Sequence, residues 1–198
     1  MKKLALIASL LAALTLGPAH AQTRAVAIFA GGCFWCMEPP FDKLDGVIST
    51  ISGYIGGKEA DANYKDVSAG RTAHYEALKV EYDPARVSYD RLLEVFWRNI
   101  DPLDANGQFC DKGRHYRSAI FVSDDQRALA EASKAELERS AKLPGRIVTE
   151  ILPATAFYAA EEYHQDYYRK NTASYAYYRW SCGRDRRLER LWGAPETR

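Results

Sequence analysis

The sequence predicts one α/β domain, a two-layer α/β sandwich with a central mixed sheet, helices packed on it and an irregular C-terminal tail. Three observations carry this. Short apolar runs of strand character recur along the chain, amphipathic helical stretches fall between some of them, and the order lacks the strict βαβ repeat of a doubly wound parallel sheet. The 198 residues divide into an N-terminal leader, residues 1–21, and a remainder of 22–198 that suits one domain with its own core.

Residues 25–30 (AVAIFA) read as a buried strand that Gly31-Gly32 stops. Residues 34–44 read as a helix, with Pro39 and Pro40 limiting its regularity. A second strand covers 47–54 and closes at Gly56-Gly57. In 76–82 the residues alternate. Glu76, Leu78, Val80 and Tyr82 share one face, which is apolar apart from Glu76, and Ala77, Lys79 and Glu81 share the other. Residues 88–100 form an amphipathic helix through Leu92, Leu93, Phe96, Trp97 and Ile100. Strands follow at 118–122 and 147–152, with a helix from Ser123 to about Lys142 between them. Gln126 completes a capping box at its start. Residues 159–168 read as helical, and from Asn171 the chain is rich in Tyr and Arg without a clear period.

Lys2 and Lys3 precede an apolar run over 4–16, and Ala19-His20-Ala21 offers small residues where a signal peptidase reads. This is a secretory signal pattern, too short to span a bilayer. The expectation is cleavage after Ala21, export to the periplasm and no stable membrane insertion afterwards. The formal charge of +1 becomes +1 − 2 = −1 once the two lysines leave. So balanced a charge argues against nucleic acid as the main partner.

The four cysteines are Cys33, Cys36, Cys110 and Cys182. In an oxidising compartment an even count first suggests structural disulfides, yet a chain this long does not need them. Cys33 follows a strand at an expected helix start, where unpaired N–H groups and the helix dipole favour a thiolate. Phe34 and Trp35 set aromatic surface beside it. A thioredoxin-like CxxC usually has small or polar central residues, whereas this one has two large aromatics. Met37 stands where haem attachment needs His, and the isolated Cys110 and Cys182 do not complete a zinc set. The histidines lack metal spacing, so no metal and no cofactor are expected. A thiol–disulfide oxidoreductase and a binding module with structural cysteines remain competing readings. Arg184, Arg186, Arg187 and Arg190 read as a solvated helix face.

GGCFWCME at 31–38 resembles the active-site segment of the A-type peptide methionine sulfoxide reductases. The resemblance continues through SGYIGG (52–57), YKDVSAG (64–70), LLEVFWRNIDPLDANGQFCD (92–111), YRSAIF (116–121), YHQDYY (163–168) and CGR (182–184). It departs at Ala73-His74-Tyr75-Glu76, where the family has Gly-His-Ala-Glu, and at Arg114-His115-Tyr116, where it has a small residue and Gln before the tyrosine.

The resemblance implies that 22–198 is a reductase of methionine S-sulfoxide, free or in proteins. Cys33 would be the nucleophile and Glu76 the acid. The strand phase supports that acid independently, because burial favours a protonated carboxyl. Tyr64 and Tyr116 would hydrogen-bond the sulfoxide oxygen, Asp111 would order the pocket, and Phe34 and Trp35 would hold the substrate methyl. Cys182 is the favoured thiol to resolve the Cys33 sulfenic acid, with Cys36 its rival and Cys110 buried beside Asp111. A thioredoxin-type dithiol would reduce the resulting disulfide.

Overall fold

The computed structural model describes residues 24–193. The leader at 1–21 lies outside them. Among the described residues no helix is long and apolar enough to cross a membrane.

A six-stranded sheet runs through the centre, in the order β7-β6-β1-β3-β2-β8. Its strands are β1 (Ala25–Gly31), β2 (Val47–Ile55), β3 (Tyr75–Tyr82), β6 (Ser118–Val122), β7 (Glu150–Pro153) and β8 (Phe157–Ala159). All pairings are antiparallel except β6–β7, which is parallel. A separate ribbon pairs β4 (Gly107–Gln108) with β5 (Asp111–Lys112). The helices are α1 (Phe34–Asp42), α2 (Tyr64–Val67), α3 (Tyr89–Arg98), α4 (Asp124–Arg139), α5 (Tyr167–Lys170), α6 (Thr172–Ser181) and α7 (Arg184–Trp192).

Alternation along the strands sorts the core into two faces. Ala27, Phe29, Leu78, Val80, Ile120 and Val122 meet Met37 and Phe41 of α1, Leu92, Leu93, Phe96 and Trp97 of α3, and Ala130 of α4. Phe29 stacks between Phe41 and Phe96 at centroid distances of 5.2 and 5.1 Å. On the opposite face Ile28, Ala30, Ile55, Tyr75, Ala77, Ala119 and Phe121 form a smaller cluster. The predicted phase of β3 therefore holds, and Glu76 lies on the helix-covered face, 1% exposed.

Local signals account for the helix starts. The Ser88 hydroxyl accepts from the Arg91 N–H and caps α3. The Gln126 amide oxygen accepts from the Ser123 N–H, as the capping-box reading requires.

Two readings need correction. The tail is not irregular, because α6 and α7 follow one another across Cys182 and Gly183, the latter in the left-handed region at φ 70°. The strand of residues 157–159 and a short 3₁₀ turn at Glu162–His164 replace most of the helix expected over 159–168. The reason is common to both. These segments draw order from contacts with distant parts of the chain, such as Gln165, whose side chain bonds both the N–H and the carbonyl of Ser52 at 2.9 Å.

Candidate active site

Cys33 is the N-cap of α1, just past the end of β1. Gly32, at φ 83°, makes the turn between them, and a Cβ there would stand 2.6 Å from Gln108. The helix start meets Glu76 of β3, whose Oε2 accepts from the Phe34 N–H at 3.3 Å. Tyr116 lies against the same carboxyl. Burial first, then the nearby Asp111 and Cys36, push the Glu76 carboxyl up to about 8, although the Phe34 and Tyr116 bonds oppose this. Glu76 is therefore protonated at neutral pH.

The thiols differ from expectation. Cys33 and Cys36 are both free and buried. Burial pushes the Cys33 thiol well up, helped by Cys36, Glu76 and Asp111. Cys36 is lowered to about 6, chiefly by the hydrogen bond from Cys33, with Arg184 and Arg179 adding to it. Burial thus works against the lowered Cys33 thiol that the helix-start argument predicts. The reason is desolvation: Cys33 is buried where the helix starts, with the Cys36 thiol and the Glu76 and Asp111 carboxyls close by.

Phenols and aromatic rings complete the pocket. Tyr64, the first residue of α2, packs its ring 4.4 Å from His164. Burial beside Glu76 and Cys33 raises its hydroxyl to about 12, and Tyr116 is raised further for the same reasons. Both therefore remain hydrogen-bond donors at any ordinary pH. Phe34 is buried against Tyr54 and His164. The Trp35 indole N–H donates to His164 Nδ1 at 3.0 Å, and its ring stacks on Tyr167 at 3.7 Å. Glu161 ties this wall together, accepting from the Tyr54 hydroxyl at 2.8 Å and from the Tyr64 N–H at 2.9 Å.

Cys110 and Cys182 form a disulfide that joins the β4–β5 ribbon to the end of α6. Cys110 is exposed, not buried as expected, because it sits at the ribbon turn just after Phe109, whose φ is 56°. The Asp111 carboxylate beside it accepts from the Tyr178 hydroxyl at 2.5 Å. Tyr178 also meets Trp35 edge-on at 5.9 Å. Helix α6 therefore lies over the aromatic side of the site, and the disulfide pins it there.

Tyr178, His164 and Glu161 escaped the sequence reading. For His164 a signal existed, since it lies within YHQDYY. For Tyr178, one of thirteen tyrosines in a segment without period, there was none. The arginine reading also fails in part. Arg184 is 1% exposed, and Arg187 pairs with Asp101 at 2.7 Å. Arg186 and Arg190 do line an open cleft of about 480 Å³ beside Cys182.

The two departures at 73–76 and 114–116 meet each other. The Arg114 guanidinium lies 5.7 Å over the Tyr75 ring, and the Tyr75 hydroxyl donates to Glu150 and accepts from Arg117, both at 2.8 Å. Alternation turns Tyr75 to the face opposite Glu76. These changes brace β3 against β7 and leave the Glu76 side of the strand alone.

A buried thiol pair at a helix start, a protonated carboxyl and two phenols define a thiol-dependent oxidoreductase site. The model of the peptide methionine sulfoxide reductase family matches residues 25–196, and the chain belongs to that family. It is 50% identical over 167 residues to peptide methionine sulfoxide reductase MsrA 2 of Caulobacter vibrioides, covering 84% of this chain and 85% of that one. It is 47% identical over 174 residues to MsrA of Bacillus subtilis, covering 87% and 98% respectively. Among solved structures, the reduced form of Mxr1 from Saccharomyces cerevisiae superposes with a TM-score of 0.71 at 35% identity, covering 75% of this chain and 86% of that one. Methionine sulfoxide reductase A of Corynebacterium diphtheriae does so with a TM-score of 0.66 at 33% identity, covering 75% and 76%.

Proposed function

We propose that this protein reduces methionine S-sulfoxide, free or within proteins, to methionine, and so repairs oxidised proteins. The observation that carries the reading is a protonated Glu76 held against the helix start that presents Cys33. A sulfoxide oxygen leaves sulfur only when it is protonated or strongly hydrogen-bonded. Glu76 supplies the proton, Tyr64 and Tyr116 donate to the oxygen, and Phe34 and Trp35 take the methyl. The Cys33 sulfur bonds to the sulfoxide sulfur as Glu76 protonates its oxygen; the substrate S–O bond then breaks, the hydroxyl passes to the Cys33 sulfur as the bond between the two sulfurs breaks, and methionine leaves with Cys33 as a sulfenic acid. Asp111 orders the pocket through Tyr178.

A thiol then condenses with the sulfenic acid, forming an S–S bond and releasing water. Cys182 is the sequence candidate, but its sulfur is bonded to Cys110. That observation favours Cys36, the free thiol beside Cys33, with Cys182 left to act from the reduced form of its own disulfide. A thioredoxin-type dithiol closes the cycle. A yeast neighbour was solved as Mxr1 in complex with Trx2, at 25% identity and a TM-score of 0.50 over 78% of this chain.

The test is methionine formation from methionine S-sulfoxide with dithiothreitol, wild type against Cys33→Ser. Activity in the variant sinks the proposal. Insulin reduction without sulfoxide consumption would mean a plain thiol–disulfide oxidoreductase instead. Export to the periplasm rests on the leader alone. It is tested by N-terminal sequencing of the secreted chain, which should begin at Gln22; an intact Met1 rejects it.

A further inference from the structure

Three side chains of α1 grip a helix too short to stand by itself. Trp35, Glu38 and Asp42 follow one another at helical spacing, so they line up along one face. Each meets the start of α5. The Trp35 ring stacks on Tyr167 at 3.7 Å. Glu38 Oε1 accepts from the Asp166 N–H at 3.4 Å and from the Ser52 hydroxyl at 3.0 Å. Asp42 Oδ2 accepts from the Tyr168 hydroxyl at 2.7 Å and lies 3.2 Å from the Arg169 guanidinium. Its Oδ1 accepts from the Thr50 hydroxyl at 2.6 Å, which ties the same grip to β2.

Helix α5 has four residues, far below the roughly twelve at which a helix is even marginal alone in water. Asp166, just before it, lies in the left-handed region at φ 53°. A non-glycine residue keeps that conformation only where its surroundings hold it. Glu38 is 1% exposed, and its second oxygen is buried without a partner. An apolar side chain there would avoid that desolvation. What the carboxyl adds is its hold on Ser52 and Asp166.

We infer that Glu38 is a positioning residue for substrate selection: with Asp42 it clamps α5 so that Tyr167 backs Trp35, and the backed indole sets the width of the pocket for the substrate methyl. Glu38 acts through Tyr167 and Trp35, not on the sulfoxide. A longer alkyl group needs the indole to give way. The stack on Tyr167 and the bond to His164 at 3.0 Å both oppose that movement.

This inference rests on the sulfoxide-reductase reading, with Trp35 beside the substrate methyl. It is tested on the full chain by kcat/KM with dithiothreitol, for methionine S-sulfoxide and for its S-ethyl homologue. Wild type should prefer the methyl substrate by roughly tenfold or more, as expected for one methylene in an apolar pocket. Glu38→Leu should remove most of that preference, a fall of about fivefold or more. Glu38→Gln keeps an oxygen for Ser52 and Asp166 and should stay near wild type. A loss of stability alone lowers both rates together and leaves their ratio unmoved. Tyr167→Leu should narrow the preference as far as Glu38→Leu does, and the double variant no further, because one residue acts through the other. Tyr168→Phe, which loses only the bond to Asp42, should narrow it in the same direction and replaces Glu38→Leu if that variant does not fold. An unmoved ratio in the variant used overturns the inference. So do an equal fall in leucine and glutamine, additive losses in the double variant, and a wild type without preference for methyl. A wild type that turns over neither sulfoxide fails the reductase reading itself.

Discussion

The N–H of Phe34 and the carboxyl of Glu76 meet at 3.3 Å across 42 residues of sequence. The contact joins the start of α1 to the middle strand β3, so the cysteine and the acid are held as one unit. It also sets a carboxyl close to Cys33, where, after burial itself, it helps to push the thiol up.

Glu76→Gln should slow the sulfoxide-reducing step by roughly two to four decades, the usual range for a lost general acid. Single-turnover methionine release is the measurement. A loss below about threefold removes Glu76 from the mechanism.

The pH dependence follows from two raised groups. Glu76 gives up its proton near 8 and Cys33 well above the usual thiol range. The reacting form has lost one proton of the pair. The rate constant kcat/KM for sulfoxide should therefore rise through about pH 8, level off, and fall only once both groups are deprotonated. In Glu76→Gln the rise near 8 should vanish and reappear at the Cys33 titration. Unchanged wild-type and variant profiles contradict this.

One equivalent of sulfoxide, added without reductant to protein whose Cys110–Cys182 bond is intact, should leave a Cys33–Cys36 disulfide in the peptide map. Cys36→Ser should release one methionine and stall as a trappable sulfenic acid. Should Cys182→Ser stall while Cys36→Ser cycles, Cys182 is the resolving thiol.

Tyr178→Phe deprives the half-buried Asp111 carboxyl of its donor. It should cost about 1–3 kcal/mol of stability, the range for an orphaned polar group. Thermal and urea unfolding report it. A neutral result means that water replaces the phenol and that α6 is not held by this bond.

The disulfide closes a separation of 72 residues. On the chain-entropy account its loss, in Cys110→Ser, should destabilise the protein by up to about 4 kcal/mol. Urea midpoints of the variant and the oxidised wild type measure this. Equal midpoints would leave the bond no structural role.

Much of the layered body was legible because its signals are local. The alternation in 76–82 placed Glu76 on the covered face, and the spacing of Leu92, Leu93, Phe96 and Trp97 placed α3 on the sheet. The Ser123 and Gln126 pattern fixed the start of α4. Family resemblance put names to Tyr64 and Tyr116, which thirteen tyrosines would otherwise have hidden.

By itself, then, the sequence determined the strands and helices of the sheet body apart from β8, that Cys33 opens a helix and that Glu76 is buried, and the family resemblance joined the two. The tertiary structure decided the burial of each thiol, the pairing of Cys110 with Cys182, the course of the C-terminal helices and the burial of Arg184. The division has a physical reason. Periodicity and capping act over a few residues and leave a mark in the sequence. Desolvation and pairing depend on what arrives from far along the chain: Glu76 beside Phe34, Arg184 beneath Gly31, and Tyr178 on Asp111.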